Sequence, residues 1–286
     1  METPANQTDS ISAERPAVVA AFLFFLFMAL SQAGAFEQLY SSTQHDLRAY
    51  VACAHNILAD RHIYQTHHQA VPEDPTLTAD VPKFLYPPLL GMLMIPLSPL
   101  SYDTIKHIWF FANFFFILHG IFLAVSILPL QRFRLPAFFV LAALSLGSDA
   151  FSWLLRTAQV DGFALYLSLL ALYFFHREKW AAAALFICMA SWVKVTPGIF
   201  FIYLLTRGPR RFAIQAVIAG IMLGLAQIAT VQGEFFYFFT NTISEDMPSA
   251  LRPPSMQSLH ALCQLLLVPF RGAHVFDAPQ QVESLL

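Results

Sequence analysis

Charged residues are scarce in this chain of 286 residues, of which aspartate, glutamate, lysine and arginine together make up 12%. Soluble proteins carry about twice that share. By contrast, 57% of the sequence is hydrophobic and 29 residues are phenylalanine. The charges are confined to short gaps between long apolar runs, which is the distribution of a membrane protein. An ordinary soluble domain is therefore excluded.

Basic surfaces, cysteine frameworks and glycine-rich loops are also missing. A formal net charge of -2 offers no basic face for nucleic acid, so we predict no nucleic acid partner. Cys53, Cys188 and Cys263 are odd in number and far apart, which indicates neither a disulfide framework nor a cysteine metal site. The usual phosphate-binding glycine loops are absent, so binding of a cytosolic nucleotide is not expected.

The apolar runs predict an all-α, polytopic membrane protein with about seven to eight membrane segments. The runs lie at residues 16–34, 86–100, 105–130, 135–153, 163–175, 180–205, 212–231 and 257–270. A signal peptide is the rival interpretation of the first run, because residues 33–35 resemble a cleavage site. The segment before it lacks the positive charge of such a peptide, so we favour a retained helix.

These runs define the predicted domain organisation. A single integral membrane domain occupies residues 16–270, between a disordered tail at residues 1–15 and a polar tail at residues 271–286. Residues 36–85 form the longest polar interval and are predicted to be the first external loop, and residues 232–255 a later polar loop.

Basic residues between the runs bear on orientation. The run at residues 180–205 contains Lys194 and Pro197 at its middle, so two half-length helices fit better than one straight helix. The basic groups on either side of it then share the cytoplasmic face. If the arginines at 132 and 134 also lie there, residues 86–100 do not cross the membrane fully. If residues 86–100 do cross, those arginines are external, and the sequence leaves both topologies open.

Asp46 is the first candidate for chemistry. Apolar residues recur at steps of three and four within residues 44–64, which predicts an amphipathic helix able to lie along the membrane surface. Asp46 lies at the start of this helix, where its carboxylate could act as a general base toward an acceptor hydroxyl. The alternative is an acid that only stabilises the amino end of the helix.

Lys194 and a cluster before residue 162 are further candidates. Lys194 lies about ten residues from either end of its run, too far to reach the interface, so we predict a polar cavity suited to phosphate. Arg156, Gln159 and Asp161 lie between two runs, where an ordinary polar turn is the alternative. Tyr86 precedes two prolines, which could mark only a helix start.

Histidines are concentrated in the predicted external loop. Only adjacent His67 and His68, and the two-turn spacing of His55 and His62, offer geometry for a metal. Neither spacing matches a known site, so we predict no metal.

Five short motifs, taken in order, resemble one protein family. DLRAY at residues 46–50, followed by ILADRHIY at residues 57–64, resembles the opening D-F-x-x-Y … L-L-x-G-x-x-x-Y of the bacterial polyprenol-phosphate-sugar-dependent glycosyltransferases of family 87, or domain of unknown function 2029. FLYPP at residues 84–88 is similar to the Y-P-P segment of that family. The other three are AQVD at 158–161, KVTP at 194–197 and MQSL at 256–259, similar to G-Q-x-N, K-x-T-P and N-Q-S.

The resemblance implies a C-superfamily glycosyltransferase fold in the bacterial inner membrane, with the active site on the external, periplasmic side. It implies transfer of a hexose, typically mannose, from polyprenyl phosphate to a lipid or glycan acceptor, with inversion and without a metal or other cofactor. Asp46 would be the base, and Lys194, with Arg48 or Arg156, would stabilise the departing phosphate. The residues that this scheme assigns to substrate binding are Arg48, Tyr50, Tyr86, Arg156, Gln159, Asp161 and Lys194.

The sequence also departs from the family pattern. Asp60 and Ala158 stand where the family has glycine, and Asp161 and Met256 where it has asparagine. Asp161 would weaken phosphate binding unless an arginine such as Arg156 pairs with it. The chain ends soon after the last motif, whereas the resembled proteins continue through more spans. The alternatives are a truncated or inactive relative that acts as a partner subunit, and a lipid or sugar transporter with broken helices.

Overall fold

A computed structural model describes residues 5–32, 34, 40, 45–64, 81–130 and 133–246. These residues form helices and no strand, which confirms the all-α prediction for this part of the chain. Contacts divide the chain into two units, Met1–Phe238 and Phe239–Leu286. The predictions for residues 256–286, which include the MQSL motif, the last apolar run and the polar tail, lie outside the described residues.

The described helices are joined by short connections from residue 88 onward. They are α1 (Ala5–Ser31), α2 (His45–Leu58), α3 (Pro88–Met94), α4 (Tyr102–Ile127), α5 (Arg134–Leu146), α6 (Asp149–Thr157), α7 (Asp161–His176), α8 (Trp180–Val193), α9 (Gly198–Arg207), α10 (Arg210–Val231) and α11 (Gly233–Tyr237). A 3₁₀ turn (Ile95–Leu97) follows α3, and a π-helical segment (Phe238–Asp246) follows α11. Helix α1 begins at Ala5, inside the segment predicted to be a disordered tail.

Two described helices, α4 and α10, are long and apolar enough to cross a membrane, and α5 with α6 make a third candidate if that bent pair is one span. In the most apolar 18-residue windows of α4 and α10, only 28% and 22% of the residues are buried. Most of their surface therefore faces outward, as in a helix that contacts lipid. The other apolar helices in the described part have 10–17 residues, so the count of about seven to eight spans stays a prediction.

The run at residues 135–153 is not one straight span. Helix α5 ends at Leu146, and α6 begins at Asp149 with a bend of 62° between them. The Ser148 hydroxyl accepts a hydrogen bond of 3.2 Å from the Phe151 N–H and so caps α6. The run is bent because Gly147 and Ser148 supply a helix stop followed by a helix start, and a single span over this bent pair stays a prediction.

The predicted break in the run at residues 180–205 is confirmed. Helix α8 ends at Val193, and Lys194 has an extended backbone with φ -148° and ψ 136°. Helix α9 begins only at Gly198. Lys194 therefore lies between two half-length helices rather than within one.

Helices α4, α7, α8 and α10 form the centre of the first unit, with α7 against α4 and α8, and α8 against α10. Small side chains bring these helices close together. The buried residues that α7–α10 share are Ala171, Ala183, Ala184, Ile187, Cys188, Leu204, Phe212 and Ala216. This packing holds the ends of the four helices in fixed positions relative to one another.

Cross-contacts show which helix ends lie together. Trp109 near the start of α4 bonds to Ala158 just before α7, and Asp161 at the start of α7 pairs with Lys194 just after α8. Gln227 near the end of α10 bonds to Leu89 on α3. We call this the site end. The end of α4 and the start of α5 lie at the opposite end, beside the end of α7.

Helix α2 forms where the sequence predicts it but is largely buried. Leu47 and every residue from 49 to 54 are at most 2% exposed, and α2 packs against α3 and α6. The helix therefore lacks the solvent-exposed face that the amphipathic pattern predicts, and its placement along the membrane surface stays a prediction. Ala49, Ala52 and Cys53 are small enough to admit neighbouring helices on the side that the pattern assigned to solvent.

Helices α2 and α3 meet most closely at Gly91. A Cβ atom there would lie 2.3 Å from Cys53 Sγ and 3.1 Å from Ile57 Cδ1. We expect Gly91→Ala to lower the free energy of unfolding by about 1–3 kcal/mol, as overpacking does, measured as a lower thermal midpoint in detergent. Adding Cys53→Ala removes the sulfur and should restore part of the loss. A Gly91→Ala protein with an unchanged midpoint would contradict the close contact.

Candidate functional site

The connection between α6 and α7 is held from two sides. The indole N–H of Trp109 donates to the Ala158 carbonyl at 2.9 Å, and the Val160 N–H donates to the Tyr50 hydroxyl oxygen at 3.1 Å. Gly162, the next residue, packs so closely against α4 that an added Cβ would lie 2.6 Å from Asn113 Oδ1. This segment, AQVD with the glycine after it, is therefore a fixed platform between α2 and α4.

An ion pair joins the platform to the break after α8. Lys194 Nζ pairs with Asp161 Oδ1, and their side chains are 24% and 41% exposed. The same ammonium lies 6.0 Å from the ring centroid of Tyr86, the outer limit of a cation–π contact. We expected an arginine such as Arg156 to compensate the charge of Asp161, and Lys194 does so.

Two tyrosines connect this pair to α2. The rings of Tyr50 and Tyr86 meet edge to face with centroids 5.3 Å apart. The Tyr50 hydroxyl oxygen accepts from the Val160 N–H. The order along the site end is therefore Val160, Tyr50, Tyr86 and the ammonium of Lys194.

The Asp46 carboxylate lies near enough to both tyrosines for its charge to raise the pKa of each. Burial is the main cause that raises the pKa of Tyr50, and electrostatic repulsion by Tyr86 and by Asp46 raises it further. Burial, then Asp46, raises the pKa of Tyr86. Both phenols therefore stay neutral at physiological pH and can donate hydrogen bonds.

The other predicted substrate-binding residues are Arg48, Arg156 and Gln159. The Arg48 guanidinium lies 5.9 Å from the centroid of the Tyr102 ring, toward α4. Arg156 is exposed in the last turn of α6. Gln159 is half-buried, and its backbone N–H donates to the Leu154 carbonyl at 3.2 Å. Their substrate-binding roles remain predictions.

The sequence analysis missed the residues that hold the segment around Tyr86. Gln227 Oε1 on α10 accepts from the Leu89 N–H at 3.0 Å, which satisfies a free donor in the first turn of α3. The Tyr64 hydroxyl donates to the Tyr86 carbonyl at 2.8 Å. The sequence feature that could have identified Gln227 is a polar amide side chain near the end of an apolar run.

Glu234 holds the segment after α2 in place. It lies in a helical stretch, so the loop prediction for residues 232–255 was wrong over its described part. It pairs with His62 and accepts from the Ile63 N–H at 3.2 Å. Tyr237 stacks on Tyr64 with an interplanar angle of 14°. Consecutive aromatic residues at 235–239 pack well enough to keep this stretch helical, which outweighs the polar residues beside them.

Two departures from the family pattern coincide with left-handed backbone. Asp60 has φ 52° and Ala158 has φ 57°, a region that glycine adopts readily and that costs other residues about 1–2 kcal/mol. Aspartate tolerates this conformation better than alanine does. The glycines of the family pattern therefore have a local physical reason at both positions.

Restoring glycine at position 158 should cost no stability. The relief of left-handed strain, about 1–2 kcal/mol, exceeds the loss of one buried methyl group, about 0.8 kcal/mol. We therefore expect Ala158→Gly to keep or raise the thermal midpoint. Ala184→Gly, an equally buried but right-handed helical position, should lose about 1 kcal/mol. Equal losses in the two variants would contradict the left-handed assignment.

The donor set at the site end is a carboxylate, two neutral phenols and an ammonium–carboxylate pair. In the part of the chain that the structure describes, no three histidine, cysteine, aspartate or glutamate side chains are grouped to hold a metal. His67 and His68 lie outside that part. These groups can accept a proton from a hydroxyl, donate hydrogen bonds to sugar oxygens and stabilise an anion.

Comparison with known proteins gives one match. A sequence model described as "Glycosyltransferase family 87" matches residues 84–282, more than half of the chain. The matched region includes Tyr86, Asp161 and Lys194, and begins after Asp46 and Tyr50. Searches of curated proteins and of solved structures gave no match.

Proposed function

Because the chain belongs to glycosyltransferase family 87 and is a membrane glycosyltransferase, we propose that it transfers a hexose from a polyprenyl-phosphate donor to a lipid or glycan acceptor. Mannose is the first candidate for the sugar. The reaction is proposed to invert the anomeric carbon and to use no metal or other cofactor.

One observation carries the proposal. Asp46 on α2 and Lys194 after α8 are 148 positions apart in sequence, yet both act on Tyr86. A carboxylate and a cation near one neutral phenol suit a displacement in which a proton leaves one partner and negative charge grows on the other.

The proposed step is a single displacement. The acceptor hydroxyl gives its proton to Asp46 while its oxygen forms a bond to the anomeric carbon of the sugar. The bond from that carbon to the phosphate oxygen breaks, and polyprenyl phosphate leaves with one more negative charge than it had in the donor. Lys194 therefore stabilises the departing phosphate more than the bound donor, which is the condition for faster chemistry. Tyr86 orients the sugar or the phosphate as a hydrogen-bond donor, and the buried Tyr50 packs against Tyr86 and holds it in place.

The distribution of charge supports an active site on the external face of the bacterial inner membrane. Arg134 and Arg177 line one pocket at the opposite end of the molecule, and cytoplasmic loops carry the excess of arginine and lysine. Helix α3 and its 3₁₀ turn extend only about 16 Å, too short for a crossing. These facts favour the topology in which residues 86–100 do not cross and the site end faces outward.

The test is transfer by the purified chain in proteoliposomes that contain polyprenyl-phosphate mannose and a lipid extract as acceptor source. We expect a glycosylated product that forms with polyprenyl-phosphate mannose and not with a nucleotide sugar. Polyprenyl-phosphate glucose and galactose, supplied in parallel, identify the sugar. Absence of product with every polyprenyl-phosphate hexose, from a monodisperse protein, would contradict the proposal.

A second candidate is a non-catalytic relative that serves as a partner subunit. The observation that favours it is the ion pair itself, because Asp161 neutralises the ammonium that the donor phosphate would need. Turnover by the purified chain alone excludes this second candidate. The second candidate is supported if the purified chain alone gives no turnover and if membranes of the source cell stop forming the product when the chain is deleted.

A further inference from the structure

A basic pocket lies at the end of the molecule opposite to Asp46 and Lys194. Its volume is about 490 Å³. It is lined by the last turn of α4 and the residues after it, by the first residue of α5 and by the end of α7. The lining residues are Ser126, Ile127, Leu128, Pro129, Arg134, His176 and Arg177. We call this the basic pocket.

The charges in the basic pocket are of one sign. Arg134 and Arg177 contribute two guanidinium groups, and His176 contributes an imidazole. Within the described residues, neither arginine pairs with a carboxylate, and Arg177 instead lies 5.3 Å from the centroid of the Tyr173 ring. Two guanidinium groups at one pocket favour a phosphate or another oxyanion, to which arginine donates in bidentate geometry.

The remaining lining is apolar and lies at the end of a membrane-length helix. Ile127 is the last residue of α4, one of the two helices long enough to span a bilayer. Leu128, which follows it, is 44% exposed. The pocket therefore offers guanidinium groups to the polar part of a ligand and apolar side chains to its hydrocarbon part. A phospholipid, with its phosphate next to its acyl chains, has this combination of groups.

We propose that the basic pocket binds the phosphate of an anionic phospholipid from the cytoplasmic leaflet. The phosphate contacts Arg134 and Arg177, and the first acyl carbons lie along Ile127 and Leu128. The pocket is separate from the site end, so this assignment holds whether or not the chain transfers a sugar.

The test is lipid retention by the purified full chain in a neutral detergent, measured by native mass spectrometry. Phosphatidylglycerol and cardiolipin are titrated against phosphatidylcholine, with inorganic phosphate as a separate competitor. A hydrogen bond between a guanidinium and a phosphate contributes about tenfold or more to affinity, so Arg134→Gln with Arg177→Gln should weaken anionic lipid binding about 100-fold. Phosphatidylcholine carries a choline cation that the arginines repel, so its binding should be weaker in the wild type and should fall less than that of the anionic lipids.

The matched control removes the same charge elsewhere. Arg207 and Arg211 are exposed on either side of the turn that joins α9 to α10, and Gly208 in this turn faces Phe175 beside the pocket. Arg207→Gln with Arg211→Gln should leave lipid retention within about threefold of the wild type, because in neutral detergent no charged bilayer surface attracts them.

Three results would overturn the proposal. These are unchanged retention in the pocket variant, an equal loss in the control, and competition by inorganic phosphate as strong as that by phospholipid, which would indicate a site for the free anion. Arg134→Lys with Arg177→Lys keeps the charge and serves if the glutamine variant does not fold. It should retain anionic lipid more tightly than phosphatidylcholine, and loss of that preference would also overturn the proposal.

Discussion

Asp46→Asn is expected to lower the rate of sugar transfer by about 10²- to 10⁴-fold, the contribution of a positioned general base. Asparagine keeps the shape of the side chain and its place at the start of α2, but it cannot accept the proton of the acceptor hydroxyl. The loss should appear in kcat and kcat/KM alike, because the proton moves only in the transition state. The measurement is transfer from polyprenyl-phosphate mannose by the purified variant, beside the wild type.

Asp60→Asn is the matched control for this substitution. Asp60 is exposed just after the other end of α2, in left-handed backbone that asparagine also tolerates. It should keep transfer within about threefold of the wild type, as expected for a surface substitution that creates no strain. A well-folded Asp46→Asn protein with wild-type turnover would exclude Asp46 as the base. Equal losses at Asp46 and Asp60 would point to a general effect of charge.

Run lengths and spacing predicted most of the individual helices but not how they pack. The apolar runs located α4, α7 and α10, and the charge of Lys194 located the break between α8 and α9. The break after Leu146 was missed because a glycine and a serine interrupt an apolar run without adding charge. The burial of α2 was missed because alanine and cysteine fit a helix–helix contact as well as a weakly polar surface.

The site was predicted in parts, and only the structure shows which parts meet. Asp46, Tyr50, Tyr86, Asp161 and Lys194 come from four separate motifs, and their order along the chain says nothing about distance. The pairing of Asp161 with Lys194 depends on the antiparallel packing of α7 and α8, which is a tertiary property. Gln227 and Glu234 hold the site from elements whose own sequence patterns indicate only a membrane span and a loop.

In the proposed reaction, the Asp161–Lys194 pair would determine how much positive charge the donor phosphate meets. Two charges of opposite sign lie at this contact, so the pair as a whole contributes no net charge to phosphate binding. An asparagine in place of Asp161, as in the family pattern, would hydrogen-bond the ammonium and leave its charge available. The aspartate therefore favours a resting pair that the donor must open or share.

Lys194→Met is expected to lower the rate of transfer by about 10²- to 10³-fold, the loss found when a preorganised group that stabilises transition-state charge is removed. Methionine keeps the length and flexibility of the side chain but leaves the departing phosphate without its cation. The measurement is the same transfer assay, with kcat and KM determined separately for the lipid donor. Wild-type turnover in a well-folded Lys194→Met protein would exclude this role.

Two further variants, Asp161→Asn and Lys194→Met with Asp161→Asn, distinguish two roles for Lys194. Lys194 either stabilises the departing phosphate or only neutralises the Asp161 carboxylate. If Lys194 stabilises the phosphate, Asp161→Asn alone should lower the KM for the donor by about tenfold, because a charged hydrogen bond worth about 1.5–3 kcal/mol no longer competes. Lys194→Met with Asp161→Asn should then stay as slow as Lys194→Met, since the cation is still missing. If Lys194 only balances the charge of Asp161, the double variant should regain wild-type turnover, and that recovery would refute the proposed role. The two outcomes differ by the full effect of the single substitution, so the cycle decides between them even if each variant is somewhat less stable than the wild type.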